Sequence, residues 1–447
     1  MRINTRHVPT RFTHEGAPAR HIPPIKELRR AVMSCLLWED QFYESGESIA
    51  DRITKLCVLC APSEIAALAI EARKVMNLRH VPLLLLVNLL RKDGKAAAET
   101  IPRVISRTDE MAELLAIYDK LNKRGDHGQL VIPRALRKGL QSAIVRFDEY
   151  GLAKYDRRGA FTLRDVFRIA RAKPTSSEQA ELWRKAVKGE LATPDTWEVA
   201  LSGGADKQAT WIRLIVEGKL GYLALLRNLR NMIEVGVPLN VIERALIERK
   251  NGANKVFPFR FIAAVKAAPA LAMTIDAALC ATIKELPEPG GMTFILVDVS
   301  GSMDDKLSGK SDLTRLEAGA ALASLWPGQR RVFTFSEHIV EVPAYPGGAG
   351  IAAIVQSQQH GGTYLGNAVH QMNALIHNNG LNNGADRLIV ITDEQSHDPV
   401  PPPKAKHNYL INVASYKNGV GYGPWTHIDG FSEGVLRYIY EMERTDA

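Results

Sequence analysis

The chain has 447 residues, 46% of them hydrophobic, and a formal net charge of +8, the profile of a soluble chain long enough for two or more domains with substantial cores. Its longest apolar run, VPLLLLVNLL at 81–90, is too short to cross a bilayer, and MRINTRHVPT lacks the apolar core of a secretion signal, so no membrane partner and a cytoplasmic location are expected. Four cysteines, Cys35, Cys57, Cys60 and Cys280, make no dense disulfide framework; the CVLC pair at 57–60 has apolar neighbours and no second pair, and reads as buried and structural.

The net charge conceals an asymmetry. Residues 286–447 hold 11 Lys+Arg against 17 Asp+Glu, a balance of −6, which leaves +14 for residues 1–285. ELPEPGG at 285–291 interrupts the pattern with two prolines and two glycines, so domains of 1–285 and 286–447 are expected.

The first half reads as helices throughout. Thr175 and Glu178 are placed to form a capping box, Thr193 and Pro194 to start the next helix, and LGYLALLRNLRNMIEVGVP and PLNVIERALIERKNG carry apolar residues three and four apart, closed by Gly or Pro. Successive helices with short turns over about 250 residues imply an array of helix pairs. One stretch is strongly basic: between 134 and 174 lie Arg134, Arg137, Lys138, Arg146, Lys154, Arg157, Arg158, Arg164, Arg168, Arg171 and Lys173, with Tyr155 and Phe161 among them. Arg164, Arg168 and Arg171 are spaced to share one helix face. A cationic stripe beside aromatic rings suits phosphate contact and base stacking, and the alternative is a solvated charged face.

The second half changes rhythm. TFILVDVS, LTRLEAGAALASLW, RRVFTFS, GNAVHQMNALIHNNG, DRLIVITDE, HNYLINVASY and EGVLRYIYEMER alternate short β-branched runs with helices, which implies a parallel sheet covered on both faces. In such a sheet the loops at the carboxyl ends of the strands share one edge. Asp298 ends one strand and Asp393 another, Ser300 and Ser302 follow in the first turn, and HGGTYLGNA presents Thr363 before a helix. Two carboxylates and three hydroxyls suit a hard divalent cation, most simply Mg²⁺.

The D-x-S-x-S, Gly-Gly-Thr and T-D elements, in that order, resemble the metal-ion-dependent adhesion site of von Willebrand factor A domains, a Rossmann-like α/β fold. That resemblance implies Asp298, Ser300, Ser302, Thr363 and Asp393 as direct or water-mediated ligands. In the basic stretch, Lys154, Tyr155, Arg158, Asp165, Arg168, Lys173 and Pro174 match the KY-x-x-R … D-x-x-R … KP pattern of the TROVE module of the Ro ribonucleoprotein family. ALLRNLRNM at 224–232 is similar to that family's ALLRNL signature, and THEGAP at 13–18 with LRRAVMSCLLWEDQFYESG to its bacterial amino-terminal region.

Membership of that family implies an all-α ring of HEAT-like repeats closed by an A domain, a monomer. It further implies small structured Y-like RNA bound on the basic surface, single-stranded ends of misfolded RNA in the central hole, and an exoribonuclease as partner. On this reading Arg134, Arg137, Lys138, Lys154, Arg157, Arg158, Arg164, Arg168, Arg171 and Lys173 contact RNA, and the chain is not an enzyme. The rival from another class is a metal-dependent phosphohydrolase or nuclease acting through Asp298, with His360 and His397 as candidate acid or base. Against it, Ser300 stands where a haloacid-type phosphatase needs a second Asp, and no G-x-S-x-G elbow is present.

Overall fold

Every residue from Val81 to Leu89 is buried in a helix, so the longest apolar run of the chain is a core element of a helical array. The computed structural model describes residues 23–34, 46–122, 130–156, 159–202, 204, 206–256, 259–306, 313–378, 384–413, 424–429 and 434–444. THEGAP, much of the segment at 28–46, Arg157 and Arg158 therefore lie outside the described residues. No single helix among those described is long and apolar enough to cross a membrane. Contacts divide the chain into two compact units, one drawn from residues 22–214 and the other from 215–447.

The first unit is helical: α1 (Pro24–Ser34), α2 (Gly46–Leu59), α3 (Pro62–Lys74), α4 (Val81–Lys92), α5 (Gly94–Val104), α6 (Asp109–Leu121), α7 (Arg134–Ile144), α8 (Glu149–Lys154), α9 (Leu163–Ala170), α10 (Ser177–Lys188), α11 (Trp197–Ser202) and α12 (Lys207–Val216). Helix ends are secured by charge. Glu110 is fully buried at the start of α6, where it takes the N–H groups of Ser106 (2.7 Å) and Arg107 (3.1 Å) and pairs with Arg73. The Lys92 ammonium lies on the carbonyls of Cys57, Val58 and Cys60, past the end of α2, where a cation complements the helix dipole. Cys57 and Cys60 are both buried, and burial, with Cys60 close by, pushes the Cys57 thiol up to about 12, so the pair is structural and inert.

Three local expectations are corrected. The N-cap before α10 is Ser176, whose hydroxyl takes the Gln179 N–H at 3.2 Å, while the Thr175 N–H goes to the Gln179 side chain; the cap falls one residue later than Thr175. Helix α11 begins at Trp197, with Thr196 rather than Thr193 meeting its first turn. Arg171 does not share a helix face with Arg164 and Arg168: it is the left-handed C-cap of α9, at φ +51°, because the helix stops at Ala170 ahead of Pro174.

The second unit holds α13 (Tyr222–Glu234), α14 (Leu239–Glu248), α15 (Phe259–Ala267) and α16 (Ala272–Lys284), followed by a six-stranded sheet of β1 (Thr293–Asp298), β2 (Arg330–Phe335), β3 (Ile339–Val342), β4 (Arg387–Thr392), β5 (His407–Asn412) and β6 (Thr426–Asp429). Helices α17 (Arg315–Ser324), α18 (Gly347–Val355), α19 (Leu365–Asn378) and α20 (Gly434–Arg444) complete it. Strand order is 3-2-1-4-5-6, parallel except for β3 at one edge. β1 and β4 are buried at every position, as expected of central parallel strands. They are also neighbours from which the chain winds in opposite directions, so a crevice opens beyond their carboxyl ends.

Composition changes at 285–291, whereas contacts thin near 214, because α15 and α16 pack into the sheet unit. Asp276 of α16 accepts the Gly348 N–H at 2.6 Å in the first turn of α18, and Lys266 of α15 pairs with Glu317 of α17 at 2.7 Å. The glycine just before this contact is required: Gly347 sits at φ +67°, and a Cβ there would meet Asp276 Oδ1 at 2.5 Å.

At the opposite, amino-terminal edge of the sheet, Arg387 is a buried arginine, only 1% exposed. It forms a double ion pair with Glu443 of α20, donates to Thr293 Oγ1 at 2.7 Å and the Gly290 carbonyl at 3.3 Å, and lies 5.3 Å from the Trp326 ring. Tyr409 donates to the same Glu443 at 3.0 Å. One side chain thus joins two strands, the segment entering β1 and the last helix.

Candidate metal centre and nucleic-acid interface

β1 delivers Asp298 to the crevice because its apolar run, TFILV, is buried to its last residue and the chain must turn there. The Asp298 carboxylate is fully buried; Oδ1 accepts the Ser300 N–H at 2.9 Å and Oδ2 the Thr392 hydroxyl at 2.6 Å. Ser300 and Ser302 turn their hydroxyls together, 3.4 Å apart, at the start of a 3₁₀ turn over Gly301–Asp304. From the end of β4 comes Asp393, also fully buried. Its Oδ1 accepts from the Gln395 N–H at 3.2 Å, and its Oδ2 has no hydrogen-bond partner.

Thr363 is buried on the third loop, which is joined to the first by the Gly301 N–H donating to the Gly361 carbonyl at 3.0 Å. Four bonds hold it to the Asp393 loop: Thr363 N–H to His397 Nδ1 (3.2 Å), His397 N–H to the Thr363 carbonyl (2.8 Å), and the Gly366 and Asn367 N–H groups to Asp398 (2.8 and 2.7 Å). The five expected ligands therefore lie on three loops of one crevice, with Asp298 and Asp393 near enough to repel one another. Burial, aided by that repulsion and opposed by the Ser300 and Thr392 bonds, raises the Asp298 carboxyl to about 7.

Sequence reasoning missed three contributors. Thr392 belongs to the T-D pair but was not seen to bond Asp298. Asp398 caps the first turn of α19; burial pushes its carboxyl up, but the Gly366 N–H, the Ser396 hydroxyl and the Asn367 N–H outweigh that and hold it below the usual range. Arg315, at the first position of α17, points its guanidinium at Asp393 Oδ2 (3.6 Å), Asp305 Oδ2 (3.5 Å) and the Ser302 carbonyl (3.1 Å). A basic residue where the helix dipole is positive is electrostatically misplaced, and that was the legible signal that acidic partners stand nearby.

Asp398→Ala should destabilise the protein by about 1 kcal/mol in urea melts, the worth of an N-cap. Because the Asp398 pKa is depressed, its contribution is complete above the ordinary carboxylate range and disappears as pH falls through the lowered value. The difference between wild type and variant should therefore be constant at neutral pH and shrink only in acid.

In the basic stretch, α7 and α9 pack as neighbours, and Gln141 of α7 donates to the Ala170 carbonyl at the end of α9 at 2.8 Å. Arg134 and Lys138 on α7, Arg164 and Arg168 on α9, and Arg171 and Lys173 beyond it are exposed. Arg164 Nε donates to the Val187 carbonyl at 2.8 Å. Among the described residues Arg134, Lys138, Arg171 and Lys173 have no acidic partner and Arg168 has only the electrostatic influence of Asp165, unlike Arg184 on α10, which is held by Glu181 and Glu190, both at 2.7 Å. Arg137 is half-buried, its Nε enclosed without a hydrogen bond. Lys154 is half-buried and set against two rings, 5.1 Å from Tyr150 and 5.6 Å from Tyr155; the second ring also carries Arg107 at 4.3 Å. Phe161 is half-buried beside α9.

The TROVE domain model matches residues 31–189 and 180–282, more than half of the chain. The chain belongs to the TROVE family. A second model, the VWA domain containing CoxE-like protein, matches residues 292–406 of this TROVE protein, the segment that carries the five crevice residues. Telomerase protein component 1 of Rattus norvegicus is 23% identical over 298 residues, which are 47% of this chain and 11% of that protein. Its Mus musculus counterpart is 38% identical over 76 residues, 16% of this chain and 3% of its own length, so this chain spans only a small part of these relatives. The crystal structure of the Deinococcus radiodurans RO (RSR) protein matches with a TM-score of 0.67 at 17% identity, covering 94% of this chain and 100% of that one, a shared fold of TROVE helices and A domain.

Proposed function

We propose that this TROVE protein is a non-catalytic RNA-binding component of a ribonucleoprotein. The observation that carries this reading is the group of exposed cations on and just beyond the adjacent helices α7 and α9, of which Arg134, Lys138, Arg171 and Lys173 meet no carboxylate among the described residues, while Arg164 and Arg168 share the field of Asp165. Cations held without acidic partners on a folded surface are available to phosphate, and the half-buried Tyr155 and Phe161 add apolar surface for a base. On this reading the ligands are small structured, Y-like RNA and single-stranded ends of misfolded RNA, collected for quality control and passed to an exoribonuclease, by a monomer whose repeats close into a ring. Crosslinking followed by sequencing of co-purified RNA tests it: crosslinks on 134–173 to small structured RNAs or unpaired ends support it, and crosslinks spread over both halves alike overturn it.

We further propose that the crevice holds a divalent cation, most simply Mg²⁺. Two buried carboxylates, one with an oxygen lacking any hydrogen bond, and two hydroxyls directed together are costly without a cation and suited to one with hard oxygen ligands. Asp298, Ser300, Ser302, Thr363 and Asp393 would hold it, directly or through water. The bound ion supplies a positive centre for an acidic group of a partner. Asp298→Ala should abolish calorimetric Mg²⁺ or Mn²⁺ binding and leave RNA affinity within about twofold, since the cationic helices lie in the other compact unit.

The rival hydrolase reading needs a free acid or base; His360 is engaged at both ring nitrogens and His397 at one. Both ring nitrogens of His360 are occupied, by Asp304 at 2.9 Å and the Val355 carbonyl at 3.1 Å, and His397 Nδ1 faces the Thr363 backbone. Phosphodiester hydrolysis abolished by Asp298→Ala would restore that rival.

A further inference from the structure

Arg315 is 6% exposed, at the positive end of α17, and spans the Ser302 carbonyl, Asp305 and Asp393. Burial and the helix dipole both disfavour a guanidinium there, so the neighbouring carboxylates must offset them. Its relation to Asp393 is purely electrostatic: at 3.6 Å it lies beyond hydrogen-bond reach of an oxygen that has no other partner. The same oxygen is the one most available to an incoming cation.

We propose that Arg315 is a resident counter-cation of the crevice, which balances Asp393 in the ion-free protein and weakens the hold on a divalent ion, so that the metal exchanges instead of being locked in. This rests on the metal-centre reading above. Two effects of Arg315 oppose each other. Its bond to the Ser302 carbonyl orders a ligand loop and favours the ion; its charge repels the ion. A single hydrogen bond has a small net effect, whereas repulsion between a unit charge and a divalent ion is poorly screened in a buried site, so repulsion wins. The consequence is a centre whose occupancy follows the free ion concentration and the arrival of an anionic group, in contrast to a structural metal retained from folding onwards.

The test is Mn²⁺ affinity of the full-length protein by calorimetry, for wild type, Arg315→Gln and Arg315→Lys, with circular dichroism to confirm folding. Gln keeps a polar side chain without the charge, ending two bonds short of the Nη1 that meets Ser302, and Lys withdraws the charge on a shorter stem. The expected order is Gln tightest, by roughly tenfold or more, then Lys, then wild type. If Arg315→Gln does not fold, the comparison of Lys with wild type still decides. Equal or weaker binding by the variants, with wild type binding measurably, overturns the proposal and leaves Arg315 as a loop anchor only. If neither wild type nor variants bind Mn²⁺, the metal-centre reading falls, and this proposal with it.

Discussion

Glutamate at Arg134, Lys138, Arg168 and Lys173 together will lower affinity for single-stranded RNA by about a hundredfold or more, and will flatten its salt dependence. These four side chains are exposed on or beyond α7 and α9 and none is held in an ion pair among the described residues, so each is available to a phosphate. Loss of four phosphate contacts on a single strand should reduce the slope of log affinity against log salt by about 3. Anisotropy titrations with labelled RNA over a range of KCl concentrations measure both quantities. Arg184→Glu is the matched control, because that arginine is already neutralised by Glu181 and Glu190 and its reversal should change little. A quadruple variant with an unchanged slope would place the RNA elsewhere.

Arg387→Met will unfold the sheet unit at markedly lower urea, a loss of about 3–5 kcal/mol, the penalty for breaking a buried ion pair. The substitution leaves Glu443 opposite a thioether and removes the donor that serves Thr293 and the Gly290 carbonyl. Met fills most of the volume, so the deficit reports charge and hydrogen bonding more than cavity. Removing both partners, Arg387→Met with Glu443→Leu, should recover part of the stability, since a neutral pair has no uncompensated charge. If the single variant melts like wild type, the cluster at the amino-terminal edge is not what fastens α20.

The two-layer distinction between helices and a covered parallel sheet was legible because the hydrophobic period changes in the middle of the chain, from three-and-four spacing in LGYLALLRNLRNM to unbroken β-branched runs in TFILV and RLIVI. The positions of Asp298 and Asp393 were legible for the same reason: a buried parallel strand that ends in Asp must place that side chain at the carboxyl edge. Shorter and weaker patterns were missed. β3 and β6 are four residues each, and α18 begins GGAG, where glycine obscures a helix that tertiary packing against α17 sustains. The helix face shared by Arg164, Arg168 and Arg171 failed because spacing records periodicity but not where a helix stops. Arg315 offered only the signal of a basic residue at a helix start, and Asp398 offered none, since the Gly366 and Asn367 groups it caps meet it only in the fold.

The bonds among the three crevice loops are unevenly distributed. Four tie the Thr363 segment to the Asp393–Asp398 segment, two of them between backbone and backbone or ring nitrogen, while the turn bearing Ser300 and Ser302 is joined to that pair by one backbone bond, Gly301 to Gly361, and otherwise through side chains: His360 to Asp304, Thr392 to Asp298, and Arg315 between the Ser302 carbonyl and Asp393. The serine side of the crevice is thus fastened mainly by side chains, the opposite side mainly by backbone groups. If the crevice takes the proposed cation, the rotamers of those few side chains are what would set its tolerance for ions of different radius.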